Sequence, residues 1–228
     1  MASVTVDLAT TTLRQLNHFL HRELPAGEIA VVVENPDGAH NIAVGVDAPI
    51  TIDILGHAGY YAGGMNQQAN ITVHGNAGPG VAENMMSGRV HVKGFASVAA
   101  GASGQGGLLV IDGDASLRCG ISMKGIDIVV AGSVGDFSAF MAQEGRLVVC
   151  GDAGDALGDS LYEAVIYVRG QVKSFGADAR EEPMTAQDRE AVGTLLAAAG
   201  LSHDPALFHR VASRRSLYHW NADANQEY

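Results

Sequence analysis

Hydrophobic residues recur with a period of nineteen along residues 51–178, and seven units follow one another without an insertion. When each unit is numbered from one to nineteen, positions two and four are always Ile, Val or Leu, beginning with Ile52 and Ile54. These two positions alternate with positions one, three and five. The period of two predicts a short β-strand with one buried face in every unit.

Small residues occupy three further positions of the unit. Position eight is always Ala or Val, as expected for a side chain in a narrow interior, and position thirteen is always Gly or Ala, which predicts a tight corner. Because glycine can adopt positive φ angles, we expect the glycine at position six to end each strand in a sharp bend. Its seven occurrences are Gly56, Gly75, Gly94, Gly113, Gly132, Gly151 and Gly170.

Nineteen residues leave no room for a helix beside the strand and its bends. Successive units must therefore pair as parallel strands, each adding about 4.8 Å along the axis. A short fixed period of this kind is typical of a solenoid. The sequence predicts an all-β fold, a right-handed parallel β-helix of seven coils roughly 30 Å long, with short helical caps at its two ends.

Residues 1–50 are predicted to form an N-terminal cap segment, residues 51–178 the β-helix and residues 179–228 a helical tail. In the cap segment we expect a strand over 4–8 and a helix that begins at the capping box of Thr12. Two further strands, over 29–34 and 42–46, should lead into the repeat. The segment should cover the first coil, because an open parallel edge invites aggregation.

The nineteen-residue period ends at Asp178. Residues 180–183 have the composition of a polar linker, and a helix is expected from Thr185 to Gly200. A second helix, capped by Asp204, should carry Leu207, Phe208 and Val211. The aromatic residues at 217–220 either pack back on the coil or dock on a partner.

Composition narrows the classes of partner. The net charge of −11 and the lack of a basic stripe exclude nucleic acid and anionic membranes as expected partners. No apolar run approaches the length of a membrane span, and no signal segment follows Met1. The two cysteines, Cys119 and Cys150, fall at different positions of the unit, so no disulfide is expected. Reduced cysteines are typical of cytoplasmic proteins, so we expect a cytoplasmic location.

Four possible chemical sites are weak on sequence grounds. The acidic run at Asp152, Asp155 and Asp159 occurs once, whereas calcium-binding rolls repeat such a motif. The glycine-rich stretch 101–107 lacks the flanking strand, helix and lysine of a phosphate loop. His74 and His91 could be neighbours on adjacent coils, but a third metal ligand is missing. Cys119 has no histidine base nearby in sequence. No catalytic, metal or cofactor site is therefore predicted in this chain.

A methionine-rich ridge is the remaining candidate site, since residues at similar positions of successive coils lie side by side. Either these residues pack in the interior or they form an adaptable docking surface, and the interleaved polar residues favour docking. The predicted ridge consists of Asn84, Met85, Met86, Met123, Lys124 and Met141.

The repeat glycines, together with the motifs at 78–88, 118–130 and 138–143, resemble the glycine-repeat (GXGXG) domain that closes the large subunit of glutamate synthase. The same domain occurs as the third subunit of formylmethanofuran dehydrogenase. A free-standing chain with the motif at 151–164 is most similar to the middle subunit of N-methylglutamate synthase. The resemblance covers about residues 10–178.

This resemblance implies a non-catalytic connector between two other subunits. One would be a glutaminase-like (class II) amidotransferase, and the other an FMN-binding glutamate synthase-like subunit, in which an iron–sulfur cluster is also expected. The complex would make N-methylglutamate from methylamine and glutamate. The alternatives are a scaffold in a formylmethanofuran dehydrogenase-type complex or a glutamate synthase-like subunit with another substrate. An independent β-helical lyase would need a groove of carboxylates and bases, which the repeat does not offer.

Overall fold

The computed structural model describes residues 2–25, 27 and 29–214. Within these residues eleven strands form one sheet, and the first nine pair in parallel in chain order. The nine are β1 (Ala2–Asp7), β2 (Ile29–Glu34), β3 (Thr51–Ile54), β4 (Asn70–Val73), β5 (Arg89–Val92), β6 (Leu108–Ile111), β7 (Lys124–Val130), β8 (Glu144–Val149) and β9 (Val165–Val168).

From β3 to β9, residues that pair on successive strands are nineteen positions apart, except Lys124 and Glu144, which are twenty apart. Ile52 faces Ile71, which in turn faces Val90. A second ladder of single bridges joins position eight of successive coils, beginning with Ala58 and Ala77. Both ladders advance by nineteen residues from one coil to the next. The chain is therefore a stack of about seven coils, which confirms the predicted parallel β-helix.

The interior is filled by positions two, four and eight, as predicted, and also by positions twelve and sixteen. The side chain at position sixteen varies widely in size from coil to coil. Met85 fills the space that Gly107 leaves open, since a Cβ at Gly107 would lie 2.6 Å from Met85 Cε. In the same way Ile126 lies over Gly104. Large and small residues on neighbouring coils therefore compensate for each other.

The glycines of position six are needed for a different reason from the one predicted. Only Gly56 among the seven has a positive φ. The other six stack on the backbone of the preceding coil: a Cβ at Gly132 would lie 2.8 Å from Gly113 O, and one at Gly113 would lie 2.9 Å from Gly94 O. The prediction of positive φ was wrong for these six, because close packing of coils, and not a left-handed bend, excludes a side chain.

Left-handed backbone lies instead on the opposite side of the coil. Positions eleven, thirteen and fifteen have positive φ in six consecutive coils, which confirms a tight corner at position thirteen for six of its seven residues. Their N–H groups donate to carbonyls of adjacent coils, as in Tyr61 N to Pro79 O (2.9 Å) and Met65 N to Glu83 O (2.8 Å). The hydrogen bonds between coils offset the cost of this conformation.

At the N-terminal end, α1 (Leu13–Arg22) begins at Thr12 with the predicted capping box. Its Leu16 and Leu20 are fully buried in the β-helix core, so the helix covers the first coil as expected. The strand predicted over 42–46 does not form. These residues make turns, with Asn41 and Ala43 at positive φ, because they continue the tight corner one coil earlier.

At the C-terminal end the structure contains β10 (Ala179–Glu182), α2 (Ala186–Ala199), a 3-10 helix (Pro205–Leu207) and β11 (His209–Ser213). Thr185 and Gly200 cap α2 as predicted. The linker predicted over 180–183 was wrong, because these residues belong to β10. The second helix begins at the predicted cap, Asp204, but it is a single 3-10 turn that ends at Leu207, and Val211 lies in β11 instead. β11 pairs antiparallel with both β9 and β10, so the open edge of the last coil supplies hydrogen-bond partners that favour strand over helix.

Among the described residues, no helix has the length and apolar character needed to span a membrane. The aromatic residues at 217–220 lie outside the described residues.

Candidate docking surface

Each coil has two broad sides. We call positions one to five the strand flank and positions ten to eighteen the turn flank. On β3 to β5 the outward position three is polar (Asp53, Thr72 and His91), and on β6 to β9 it is apolar and buried (Val110, Val129, Val148 and Tyr167). The apolar half is covered by α2 and Phe208. The buried residues that α2 and Phe208 contribute are Val192, Leu195, Leu196, Ala199 and Phe208.

A network of charged and hydrogen-bonded side chains holds α2 on the strand flank. Tyr167 donates a hydrogen bond to Asp188 of α2 (Oη to Oδ1, 2.7 Å), and Arg210 of β11 lies 3.2 Å from the same oxygen. Burial raises the pKa of the Asp188 carboxyl, but hydrogen bonds from Thr185 and Tyr167 and the charge of Arg210 together hold it below its ordinary value. Burial and the bond to Asp188 raise the pKa of Tyr167. The C-terminal half of the strand flank is thus occupied by the chain's own helix.

The N-terminal half of the strand flank is polar and internally paired. His74 contacts Asp53 and His91 contacts Asp112, each at 2.7 Å, so the two histidines belong to separate pairs. Arg89 Nη1 donates to Ala198 O at the end of α2 (2.7 Å), where the helix dipole favours a cation. We therefore looked for a docking surface on the turn flank.

The predicted methionine ridge is divided by the structure. Met85 and Met123 have no exposed surface, because both occupy position sixteen inside the coil. Including them in a docking ridge was wrong. Met86 is 45% and Met141 40% exposed, Lys124 is exposed, and Asn84 is half-buried. These four remain on the turn flank, and their role in docking stays a prediction.

Sequence reasoning missed the aromatic residues of the turn flank. Their positions, ten, eleven, fourteen, fifteen and seventeen, hold apolar residues in only some coils, so no column of the repeat shows the pattern. The signal that could have found them is large apolar residues at positions outside the buried set. The exposed large apolar side chains of the turn flank are Tyr60, Tyr61, Met65, Met86, Leu117, Phe137, Met141, Tyr162 and Phe175.

Six of these side chains, together with Phe140, form two patches that share positions eleven and fifteen of the coil. The tyrosine patch consists of Tyr60, Tyr61 and Met65. Tyr60 stacks on His40 with ring centroids 4.4 Å apart, and the ring of Tyr61 lies over Gly80, where a Cβ would be 2.6 Å from Tyr61 Cδ1. The aromatic rings are therefore held in fixed orientations, which lowers the entropy cost of contact with a partner.

The second patch, the phenylalanine patch, consists of Phe137, Phe140, Met141 and Tyr162. Phe137 and Phe140 pack edge to face with centroids 6.2 Å apart. Phe137 and Met141 lie 76 residues, or four coils, after Tyr61 and Met65. At about 4.8 Å per coil the two patches are roughly 19 Å apart. Among the described residues no helix covers either patch.

The weaker sequence candidates resolve into structural roles. Burial raises the pKa of the Cys119 thiol to about 12 and that of Cys150 to about 11, so both are packed thiols rather than nucleophiles. Asp152 Oδ1 accepts from Gln171 N (2.7 Å), and a hydrogen bond from Lys173 lowers the pKa of Asp155. Across residues 2–25, 27 and 29–214, no three His, Cys, Asp or Glu side chains are grouped to hold a metal ion.

The fold defines the chain as a parallel β-helix protein, and within the described residues its turn flank carries exposed aromatic side chains. The chain is 55% identical over 225 residues to Protein GlxC of Rhizobium meliloti (strain 1021), and the match covers 98% of this chain and 99% of that protein. It therefore belongs to the GlxC family. No protein-family model matches the chain, and no solved structure matches it.

Proposed function

We propose that this protein is a non-catalytic connector subunit of a glutamate synthase-like enzyme, and that the enzyme is an N-methylglutamate synthase. The observation that carries the proposal is the glycine repeat, whose motifs resemble the connector domain of glutamate synthase. The full-length relationship to Protein GlxC is compatible with a free-standing subunit of this family.

The architecture suits a connector. Inter-coil hydrogen bonds and stacked glycines make the β-helix rigid along its axis, so two subunits docked on different coils would be held at a fixed distance. The tyrosine and phenylalanine patches offer two such places on one side of the molecule. The expected partners are a glutaminase-like amidotransferase subunit and an FMN-binding synthase subunit, and FMN and the iron–sulfur cluster would belong to the latter.

The test is purification of the native complex through a tag on this chain, followed by identification of its subunits and of bound flavin. We expect both partner subunits, about one FMN per complex, and formation of N-methylglutamate from methylamine and glutamate. The chain expressed alone should be colourless and inactive. Flavin bound to the isolated chain at near one equivalent would contradict the proposal.

Formyl-transferring subunits in the purified complex would favour the second candidate, a scaffold of the formylmethanofuran dehydrogenase type. A glutamate synthase-like complex that is inactive with methylamine would leave the connector role but change the substrate.

A further inference from the structure

The two patches of the turn flank differ in charge, although both carry large side chains at positions eleven and fifteen of the coil. Around the tyrosine patch, over 60–68 and 79–87, the one charged side chain is Glu83, and burial raises the pKa of its carboxyl. Around the phenylalanine patch, over 136–144 and 155–163, there are five acids and no base. The five are Asp136, Glu144, Asp155, Asp159 and Glu163.

Backbone hydrogen bonds fix acids and apolar side chains next to each other. Phe137 N donates to Asp155 O (2.8 Å), and Met141 N donates to Asp159 O (2.9 Å), so the backbone of each apolar residue lies beside that of an acidic residue of the following coil. Tyr162 N donates to Ala142 O (2.9 Å), so Tyr162 lies beside the residue that follows Met141. The result is an apolar surface with acidic residues interleaved at a spacing of about 4.8 Å.

Bases occur only at the borders of this surface. Arg118 and Lys124 belong to the preceding coil, and Lys173 belongs to the following coil, where it pairs with Asp155 at 2.5 Å. With a net charge of −11 on the whole chain, a second copy of this protein would be repelled from the patch. An acidic partner would be repelled in the same way.

We propose that the phenylalanine patch binds a basic segment of a partner protein, in which Lys or Arg residues alternate with large apolar anchors. The apolar anchors would contact Phe137, Met141 and Tyr162, and the cationic groups would lie against the surrounding carboxylates. This inference rests on the proposed connector function and adds the chemistry of one partner. The tyrosine patch, which has Glu83 as its one acid, would take a different and less charged partner surface.

The direct test measures binding of two peptides to the full chain by fluorescence anisotropy. One peptide alternates Lys with Leu, and the other has Glu at every Lys position. We expect the Lys peptide to bind in the micromolar range, about −8 kcal/mol, and to bind more weakly as salt is raised. The Glu peptide should not bind.

Position-matched variants decide which patch is used. Because Phe137 and Met141 have positive φ, Asn is the replacement that tolerates their backbone. Phe137→Asn combined with Met141→Asn should lower affinity for the Lys peptide at least tenfold. Tyr61→Asn combined with Met65→Asn, the same positions four coils away, should leave it unchanged. Circular dichroism melts check that both variants fold, and Glu144→Gln, at an exposed acid, should weaken binding about threefold.

Three results would overturn the inference: equal binding of both peptides, equal loss in both double variants, or a dimer of this chain that only the Phe137/Met141 variant abolishes. These outcomes are independent of the native purification. If the complex contains the expected subunits but the peptide results fail, the connector role stands and the inference falls. If no partner subunit is recovered while the Lys peptide binds, the connector role falls and the binding property of the phenylalanine patch stands.

Discussion

The strand flank and the turn flank are built from the same coils, yet among the residues that the structure describes only the strand flank is covered by a helix. On β6 to β9 the strand flank carries apolar residues at position three, and α2 packs on them through Val192, Leu195 and Leu196. On the same coils the turn flank carries Phe137 and Met141, both at least 40% exposed. A flat row of β-branched side chains suits a helix of the same chain. The turn flank instead offers separate anchors, which suit a partner.

The two flanks also differ in how the backbone is held. Strand residues have ordinary extended conformations, and coil stacking there excludes any Cβ at position six. Turn residues have left-handed φ at three positions and depend on hydrogen bonds to neighbouring coils. Substitutions inside the coil and at the stacked glycines should therefore cost far more than substitutions of exposed turn residues.

The largest effect is expected from adjacent methionines on opposite sides of the turn backbone. Met85→Glu would bury an unpaired carboxylate and should lower the free energy of unfolding by about 4 kcal/mol or more. Met86→Glu, at a 45% exposed residue, should change it by less than about 0.5 kcal/mol. Chemical denaturation of both variants measures this, and similar midpoints would mean that position sixteen is not interior.

Gly132→Val comes next. Its side chain would meet Gly113 O of the preceding coil, and backbone cannot move away as a flexible side chain can, so we expect a loss of about 3 kcal/mol. Asp114→Ser is the control. Asp114 Oδ1 accepts from Ser133 N (2.7 Å), and Ser133 Oγ accepts from Asp152 N (3.0 Å) at the equivalent place, so Ser keeps an acceptor. Equal melting temperatures would show that the stacked glycine is dispensable.

Removing the fastening of α2 should have an intermediate effect that depends on pH. Tyr167→Phe deletes the hydrogen bond to Asp188 and should cost about 1–2 kcal/mol at neutral pH. The pKa of Asp188 is lowered in the folded state, so its contribution is present above the carboxyl's unfolded pKa and is lost as pH falls through the folded value. The difference between wild type and variant should shrink below about pH 4. A difference that is constant down to acidic pH would contradict this account.

The smallest expected effect is a gain on the turn flank. Ser122 has φ +52°, a conformation that glycine adopts without strain, so Ser122→Gly should raise the free energy of unfolding by about 0.5 kcal/mol. Ser116→Gly, which lies outside the positive-φ positions, should lower it by a similar amount through the entropy of the unfolded chain. Thermal melts that move in the same direction for both variants would remove left-handed strain as an explanation.

Much of the fold could be predicted because the period is fixed by local and repeated requirements. Positions two, four and eight must be apolar or small in every coil, so the sequence predicts that Ile52, Ile54 and Ala58 are buried, as they are. The caps of both helices could also be predicted from the sequence, because capping depends on residues a few positions apart. They are Thr12, Thr185 and Gly200.

The exposed surface could be predicted less well from the sequence, for a physical reason. Met85 and Met123 differ from the glycine and alanine at the same position of other coils, because Gly107 and Gly120 beside them leave room that only the stacked structure reveals. The burial of Val129 and Tyr167 likewise depends on α2, which follows later in the chain.

The sequence by itself determined the coil, its period and its interior, since every coil repeats the same short-range demands. Only the tertiary structure decided why Gly132 must lack a side chain, which face α2 covers, and that β11 forms a strand on the edge of β9. Each of these depends on contacts between residues nineteen or more positions apart in the chain. The period marks Gly132 as a glycine position but not the contact that requires it, and it carries no signal for α2 and β11, which lie after the repeat.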